Sequence, residues 1–263
     1  MSDATTGLLA AAVAILTLSG SQFVGDTVNI SYVATQVGEI RTLKLSDGSV
    51  ITLNTDSRIK TRTNGTSLHV EVLQGEVLFA MQPNSMRHLC VAAGDLDIFD
   101  TATVFDVRLS GDGQIRVTVQ EGQVRVSSGR SGEFPLEHNQ QAIRDESLGT
   151  LKLRKGLSSR SIEYQLSWRE GRLIFGCQRL SDVAREFNRY NVTKLEIDPR
   201  IEDEQIGGDF SATDVAEFVD LMPHLDPSIH WERSQDARGT PILRLYQTPD
   251  APRPSRPYTP CDP

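Results

Sequence analysis

The chain has no run of lysine and arginine, only 6% aromatic residues, and only three cysteines in 263 residues. With no basic run and a formal net charge of -8, there is no phosphate-tracking surface, so no nucleic-acid partner is expected. Cys90, Cys177 and Cys261 cannot all pair with one another, and none stands in a CxxC or a close Cys/His pattern. They read as buried or idle thiols. The five histidines, His69, His88, His138, His224 and His230, are scattered. Neither a zinc site nor a Cys/His nucleophile pair emerges from spacing, so no metal, no cofactor and no catalytic set is expected. What remains is ordinary: 38% hydrophobic and 24% charged residues, enough for two modest domains.

Charge is also missing from Ala4 to Gly25, which contains the apolar core "GLLAAAVAILTL" at Gly7 to Leu18. A membrane helix needs about 20 apolar residues, so this run is a marginal span. It reads as a single membrane anchor; a secretory signal, without the usual positive start, and a buried helix are the alternatives. Either of the first two exports the rest of the chain.

From Tyr32 to about Gln141 the text is written in twos. In "ATVFDVRLSGDGQIRVTVQEGQVRV", Ala102 to Val126, Phe105, Val107 and Leu109 face one way and Asp106 and Arg108 the other. Ile115, Val117 and Val119 alternate in the same way with Arg116, Thr118 and Gln120. Asp112-Gly113 and Glu121-Gly122 supply turn residues, and Val124 and Val126 come next, so the stretch reads as a three-stranded meander with a polar outer face. A hairpin is expected about Asp47-Gly48, and the turns in "LSDGSV", "LQGEV" and "VQEGQV" are loosely alike. Short strands with frequent turns predict an all-β domain, a sandwich, barrel or irregular solenoid.

Past a polar, basic stretch "ESLGTLKLRKGLSSRS" the period changes. Leu180, Val183, Ala184 and Phe187 have the spacing of a helix packed on one side. A second helix carries Val215, Phe218, Val219 and Met222, with Ser211 and Asp214 spaced as a capping box. Strands near Leu173, Lys194 to Ile197, Ile206 to Phe210, Ile229 to Arg233 and Ile242 to Tyr246 complete a small α+β unit with two helices on a sheet. The expected organisation is an anchor or signal over 1–30, an all-β domain over 31–145, a linker over 146–165, an α+β domain over 166–247, and a disordered Pro-rich tail over 248–263.

The segments "YVATQVGEIRTLKLSDGSVITLN", "LQGEVLF", "TVFDVR" and "VQEGQVRVSS" resemble the periplasmic part of FecR-family regulators, membrane-bound anti-sigma sensors that work with TonB-dependent outer-membrane receptors. "LSWREGRLIF", "RLSDVAREFNRYN" and "IGGDFSATDVAEFVDLM" are similar to that family's terminal domain, related to the short amino-terminal domain of secretins and TonB-dependent receptors. The resemblance implies an inner-membrane, single-pass protein with its bulk in the periplasm. Its implied partner is the signalling domain of a TonB-dependent receptor, commonly in iron-chelate uptake. Family members grip a sigma factor with a helical cytoplasmic domain ahead of the span; only Met1 to Thr6 precede the apolar core here, which leaves sigma-factor binding open.

Within the resemblance, Trp168, Arg169 and Arg172 are candidates for partner binding, by strand addition between related α+β domains. Their other reading is a core tryptophan with surface arginines. Some family members cut themselves at a Gly-Thr bond; here the matching pair is Ala102-Thr103, which keeps the hydroxyl nucleophile and loses the glycine, so weak or absent cleavage is expected. Two other functions fit the residues less fully. One is an exported carbohydrate-active enzyme using paired carboxylates such as Asp95 and Asp97, or Glu202 to Glu204. The other is a secretion-apparatus protein sharing only the terminal domain.

Overall fold

Alternating β-branched and polar residues write thirteen strands into the first part of the chain: β1 (Asn29–Ala34), β2 (Arg41–Lys44), β3 (Val50–Leu53), β4 (Arg58–Asn64), β5 (Ser67–Ala80), β6 (His88–Ala93), β7 (Leu96–Asp100), β8 (Val104–Leu109), β9 (Gln114–Glu121), β10 (Gln123–Ser128), β11 (Gly132–Glu137), β12 (Gln140–Asp145) and β13 (Thr150–Arg154). The computed structural model describes residues 28–83, 87–100, 102–129, 132–145 and 147–248. The apolar run and the Pro-rich tail therefore lie outside the described residues. No helix among the described residues is long and apolar enough to cross a membrane.

The thirteen strands form one sheet that curls upon itself, ordered β11-β10-β7-β6-β5-β8-β9-β12-β13, with β1 through β4 attached along β5. The long strand β5 explains the curl. Its first half pairs with β4 and, in parallel, with β6; its second half pairs with β3 and β8. The change falls at Gly75, whose φ of 86° suits glycine. A Cβ there would lie 2.2 Å from Ser57 Oγ and 2.8 Å from the Asp56 carbonyl oxygen, so no other residue fits.

The two halves close over one core. Leu68, Val70, Val72, Leu89, Val91 and Ile98 come from one side, and Ile51, Leu53, Val77, Phe79, Phe105 and Val117 from the other. Phe79 and Phe105 stack with centroids 5.0 Å apart, worth about 0.5–1.5 kcal/mol beyond their burial.

The expected meander differs in one respect. β8 and β9 pair as foreseen, but β10 leaves them to join β7 and β11 in the other half. Gly122, at φ 80°, turns this corner instead of closing a hairpin. Gly75 and Gly122, in the two similar "QGE" and "EGQ" turns, thus both move the chain between the halves.

The stretch expected as linker is structured. It contains β13 and then α1 (Ser159–Leu166), whose first turn is capped by Ser158 Oγ accepting from the Ser161 amide. Leu151 of β13 and Ile162 and Leu166 of α1 pack against the two cores, which is why these residues are ordered.

A small helix-plus-strand region comes next: β14 (Arg172–Arg179), α2 (Leu180–Tyr190), β15 (Lys194–Ile197), β16 (Gln205–Ser211), α3 (Val215–Leu225), β17 (Ile229–Gln235) and β18 (Pro241–Gln247). β14 pairs with β16, while β18 lies between β15, in parallel, and β17. The helices bury the apolar stripes read from their spacing, with Phe187 and Phe218 4.8 Å apart at the centre. One cap is displaced: Asp214, not Ser211, is the N-cap of α3, its carboxylate accepting from the Glu217 amide at 2.9 Å. Ser211 is committed to β16, paired with Arg172.

Candidate functional site

The polar outer face of the strand pair β8–β9 is not open to solvent. In register, Glu76 of β5 lies across from Arg108 of β8, Leu78 from Asp106, and Asp106 in turn from Thr118 of β9. Glu76 is 1% exposed, as is Asp106. The helix-plus-strand region covers them: Leu78 belongs to its core, not to the β core, and Val104 packs against it too.

Helix α2 supplies the cover because of how its faces divide. Val183, Phe187 and Tyr190 point into its own core, which leaves Glu186 and Arg189 to face the sheet. Arg189 Nη2 donates to Glu76 Oε2 at 2.6 Å, and Arg116 Nη2 donates to Glu76 Oε1 at 3.4 Å. Arg189 also donates to Glu186, which accepts from Arg108 at 3.1 Å. Asn54, just past β3, uses its amide to donate both to Glu76 Oε2 and to the Tyr190 hydroxyl, each at 2.7 Å. Nearby, Thr55 Oγ1 donates to the Arg189 carbonyl at 3.0 Å and accepts from the Gly38 amide at 2.8 Å. A Cβ at Gly38 would lie 3.2 Å from the Tyr190 carbonyl oxygen, so glycine permits this close approach. At the other side, Gln141 Nε2 bridges Thr118 Oγ1 and Gln165 Oε1 of α1.

The electrostatics follow from burial against three guanidiniums. Burial alone would raise the Glu76 carboxyl, but Arg189, Arg108 and Arg116 outweigh it and lower its pKa to about 2. Asp106 goes the other way: burial and the neighbouring Glu76 carboxylate push it well above the usual range, against the pull of the arginines. Among the described residues its Oδ1 makes no hydrogen bond, nor does Arg116 Nε. Each such buried atom costs about 1–3 kcal/mol. The interface is held by a strong pair beside groups that oppose docking.

The residues singled out by sequence lie elsewhere. Trp168 is 2% exposed in the core of the helix-plus-strand region. Arg169 donates to the Leu166 carbonyl, and Arg172 forms an exposed pair with Asp209 at 2.6 Å. The three do not form one surface, because Trp168 points inward.

Thr103 is buried, and its Oγ1 makes no hydrogen bond among the described residues. Ala102 and Thr103 border an open cavity of about 200 Å³ together with Met81, Pro83 and Glu121. Ala102 is not among the residues with positive φ, so its side chain creates no strain of the kind expected from the lost glycine.

Asp95 receives a two-pronged contact from Arg144, 2.6 Å at its shortest, whereas Asp97 lies exposed on β7. They do not form a carboxylate pair across a cleft. Glu202 and Glu204 use their backbone carbonyls to accept from Ser181 and Leu180 at the start of α2.

Glu76, Glu186, Arg189, Asn54 and Tyr190 were missed by sequence reasoning. The available signal was "GEVLFAM": an uninterrupted apolar run in a strand marks burial on both faces. In α2, Glu186 and Arg189 are one turn apart on the face opposite the apolar stripe.

Comparison places this architecture among known proteins. Residues 31–125 match the family described as FecR protein. Two crystal structures of a proposed anti-sigma factor from Parabacteroides distasonis share the fold. One, at 20% identity and TM-score 0.64, covers 84% of this chain and 100% of that one. The other, at 20% identity and TM-score 0.65, covers 83% and 99%. No curated protein matches the chain. Residues 31–125 are a FecR-family domain.

Proposed function

We propose that this chain is a regulatory signalling protein of the cell envelope and not an enzyme. Ala4 to Gly25 anchors it in the inner membrane with its bulk in the periplasm. There it binds the signalling domain of a TonB-dependent outer-membrane receptor, in the setting of iron-chelate uptake, and passes ligand status toward a sigma-factor system. The observation that carries this reading is the FecR-family domain at residues 31–125. The fold shared with proteins described as anti-sigma factors supports it.

The helix-plus-strand region is the receptor-facing part. Among the described strands, β14 pairs only with β16, and β15 and β17 each only with β18. These edges have backbone groups available for strand addition, with Arg172 on β14 and Arg169 beside it. The Glu76–Arg189 interface relays the event to the β domain, since α2 belongs to one part and its ionic partners to the other.

Titrating the full chain, in detergent, with the purified signalling domains of TonB-dependent receptors encoded near its gene tests the reading. Saturable binding to one of them is expected; no binding to any overturns it. Fractionation tests the location, with recovery in the inner membrane expected. A mature chain beginning near Ser21 shows a cleaved signal, and recovery in the cytosol refutes export.

A further inference from the structure

We propose that the open face of β1 and β4 rests on an anionic lipid surface. The residues that share it are fixed by register: Ile30 lies across from Arg62, Tyr32 from Lys60, and Ala34 from Arg58. On the other face Ile59 is 0% exposed and Val33 packs on the β core, while Ser31 stays exposed beside Thr61. Tyr32 is 67% exposed and Ile30 54%, which places two apolar side chains together beside the basic residues of this face.

The charge of this face opposes that of the chain. It carries Arg58, Lys60 and Arg62, with His69 and Glu71 next to them on β5, in a protein of formal net charge -8. Glu71 is paired with Lys60 at 3.5 Å. Arg58 and Arg62 are exposed and form no ion pair among the described residues. An exposed tyrosine and isoleucine flanked by uncompensated guanidiniums suit the boundary between lipid headgroups and acyl chains, where amphipathic rings and basic side chains both find partners.

The tether selects a membrane over other anionic partners. Three residues, Asp26, Thr27 and Val28, separate the uncharged run ending at Gly25 from Asn29, where β1 begins. Three residues reach at most about 11 Å. With the apolar run in a bilayer, β1 is therefore held about one Debye length from the headgroups, about 10 Å at 0.1 M salt. At that distance a basic face and an anionic surface attract without having to find each other. The inference rests on the membrane reading of Ala4 to Gly25.

The test uses the full chain in nanodiscs of brominated phosphatidylcholine, alone or mixed with phosphatidylglycerol. Tyr32→Trp adds a third tryptophan to Trp168 and Trp231, and quenching by bromine reports its contact with lipid. Quenching beyond that of the unsubstituted chain is expected in the anionic discs and not in the neutral ones. The triple variant Arg58→Ser/Lys60→Ser/Arg62→Ser in the Tyr32→Trp background should weaken docking roughly a hundredfold and abolish the extra quenching. If the chain elutes with anionic discs but Tyr32→Trp is not quenched, the proposal is overturned while the anchor stands. Equal quenching in both lipids, or quenching that survives the triple variant, overturns the role of charge. A chain that enters neither disc overturns the membrane reading and this inference with it.

Discussion

Replacing Arg189 with methionine removes the shortest cationic contact of Glu76 while keeping the aliphatic bulk. In the folded protein the Glu76 carboxyl titrates at about 2, against 4.5 without its surroundings. A drop of that size, at about 1.4 kcal/mol per pH unit, corresponds to about 3–4 kcal/mol of stability. Because the folded value lies below the unfolded one, this contribution is fully present above about pH 4.5 and is lost as the pH falls toward 2.

In Arg189→Met, Arg116 at 3.4 Å and the more distant Arg108 remain, so the loss should sit at the low end of the 3–5 kcal/mol typical of a broken buried pair. Thermal unfolding at pH 7 should show a Tm lower by roughly 6–12 °C for a chain of this size. The fall in stability between pH 4.5 and 2 should shrink, since Glu76 no longer holds its low value. Adding Glu76→Leu should restore part of the loss, because the carboxylate that was left buried without its partner is gone. A change in Tm of under about 1 °C on Arg189→Met, too small for a broken buried pair, would refute the reasoning. So would an unaltered acid transition.

Asp106 has the opposite sign: its folded pKa is raised, so its contribution is present in acid and declines as pH rises through the folded value. Asp106→Asn should leave the protein at least as stable as the parent at pH 8 in chemical denaturation, and a loss of more than about 1 kcal/mol there would count against it. Gly75→Ala should cost several times more than Gly65→Ala, which has positive φ but nothing within 4 Å of a new Cβ; equal Tm losses would contradict the steric account. Intact-mass measurement of the purified chain should show no break between Ala102 and Thr103, because among the described residues the Thr103 hydroxyl has no hydrogen-bonded base to take its proton. A substantial pair of fragments at that bond would overturn this.

Much of the fold can be read where a single period governs a segment. The strands β8 and β9 and the stripes of α2 and α3 bury the residues that alternation and helical spacing assign to them. Such readings fail where one stretch serves two neighbours. Leu78 looks like more of the β core, yet it belongs to the other region's core, since β5 is covered on both faces. The turn at Glu121-Gly122 reads as a hairpin, yet it is a corner, because local turn chemistry does not say which strand comes next in space. The same limit hid the ionic site: Glu76 and Arg189 are 113 residues apart, and neither has a local pattern that names the other. Trp168 was marked by the family resemblance, and what it does is fill the core.

The shared strand β5 has a consequence for how the chain acquires its structure. Every other described strand of the β domain lies within one half, but β5 hydrogen-bonds in both, to β3, β4, β6 and β8. Neither half can therefore form and wait as a finished unit. The first is closed by β10 and β11 and the second by β12 and β13, so a chain delivered from its amino end exposes apolar strand edges until about Gln140 has emerged. Half of the strand pairings in the β domain are not hairpins but join strands distant in sequence, which makes assembly slow and late. Over that interval the bare edges of β5 and β8 are the places where two unfinished copies would pair with each other. Aggregation during production is thus a matter of timing along the chain and should respond to slower delivery or lower temperature more than to changes on the finished surface.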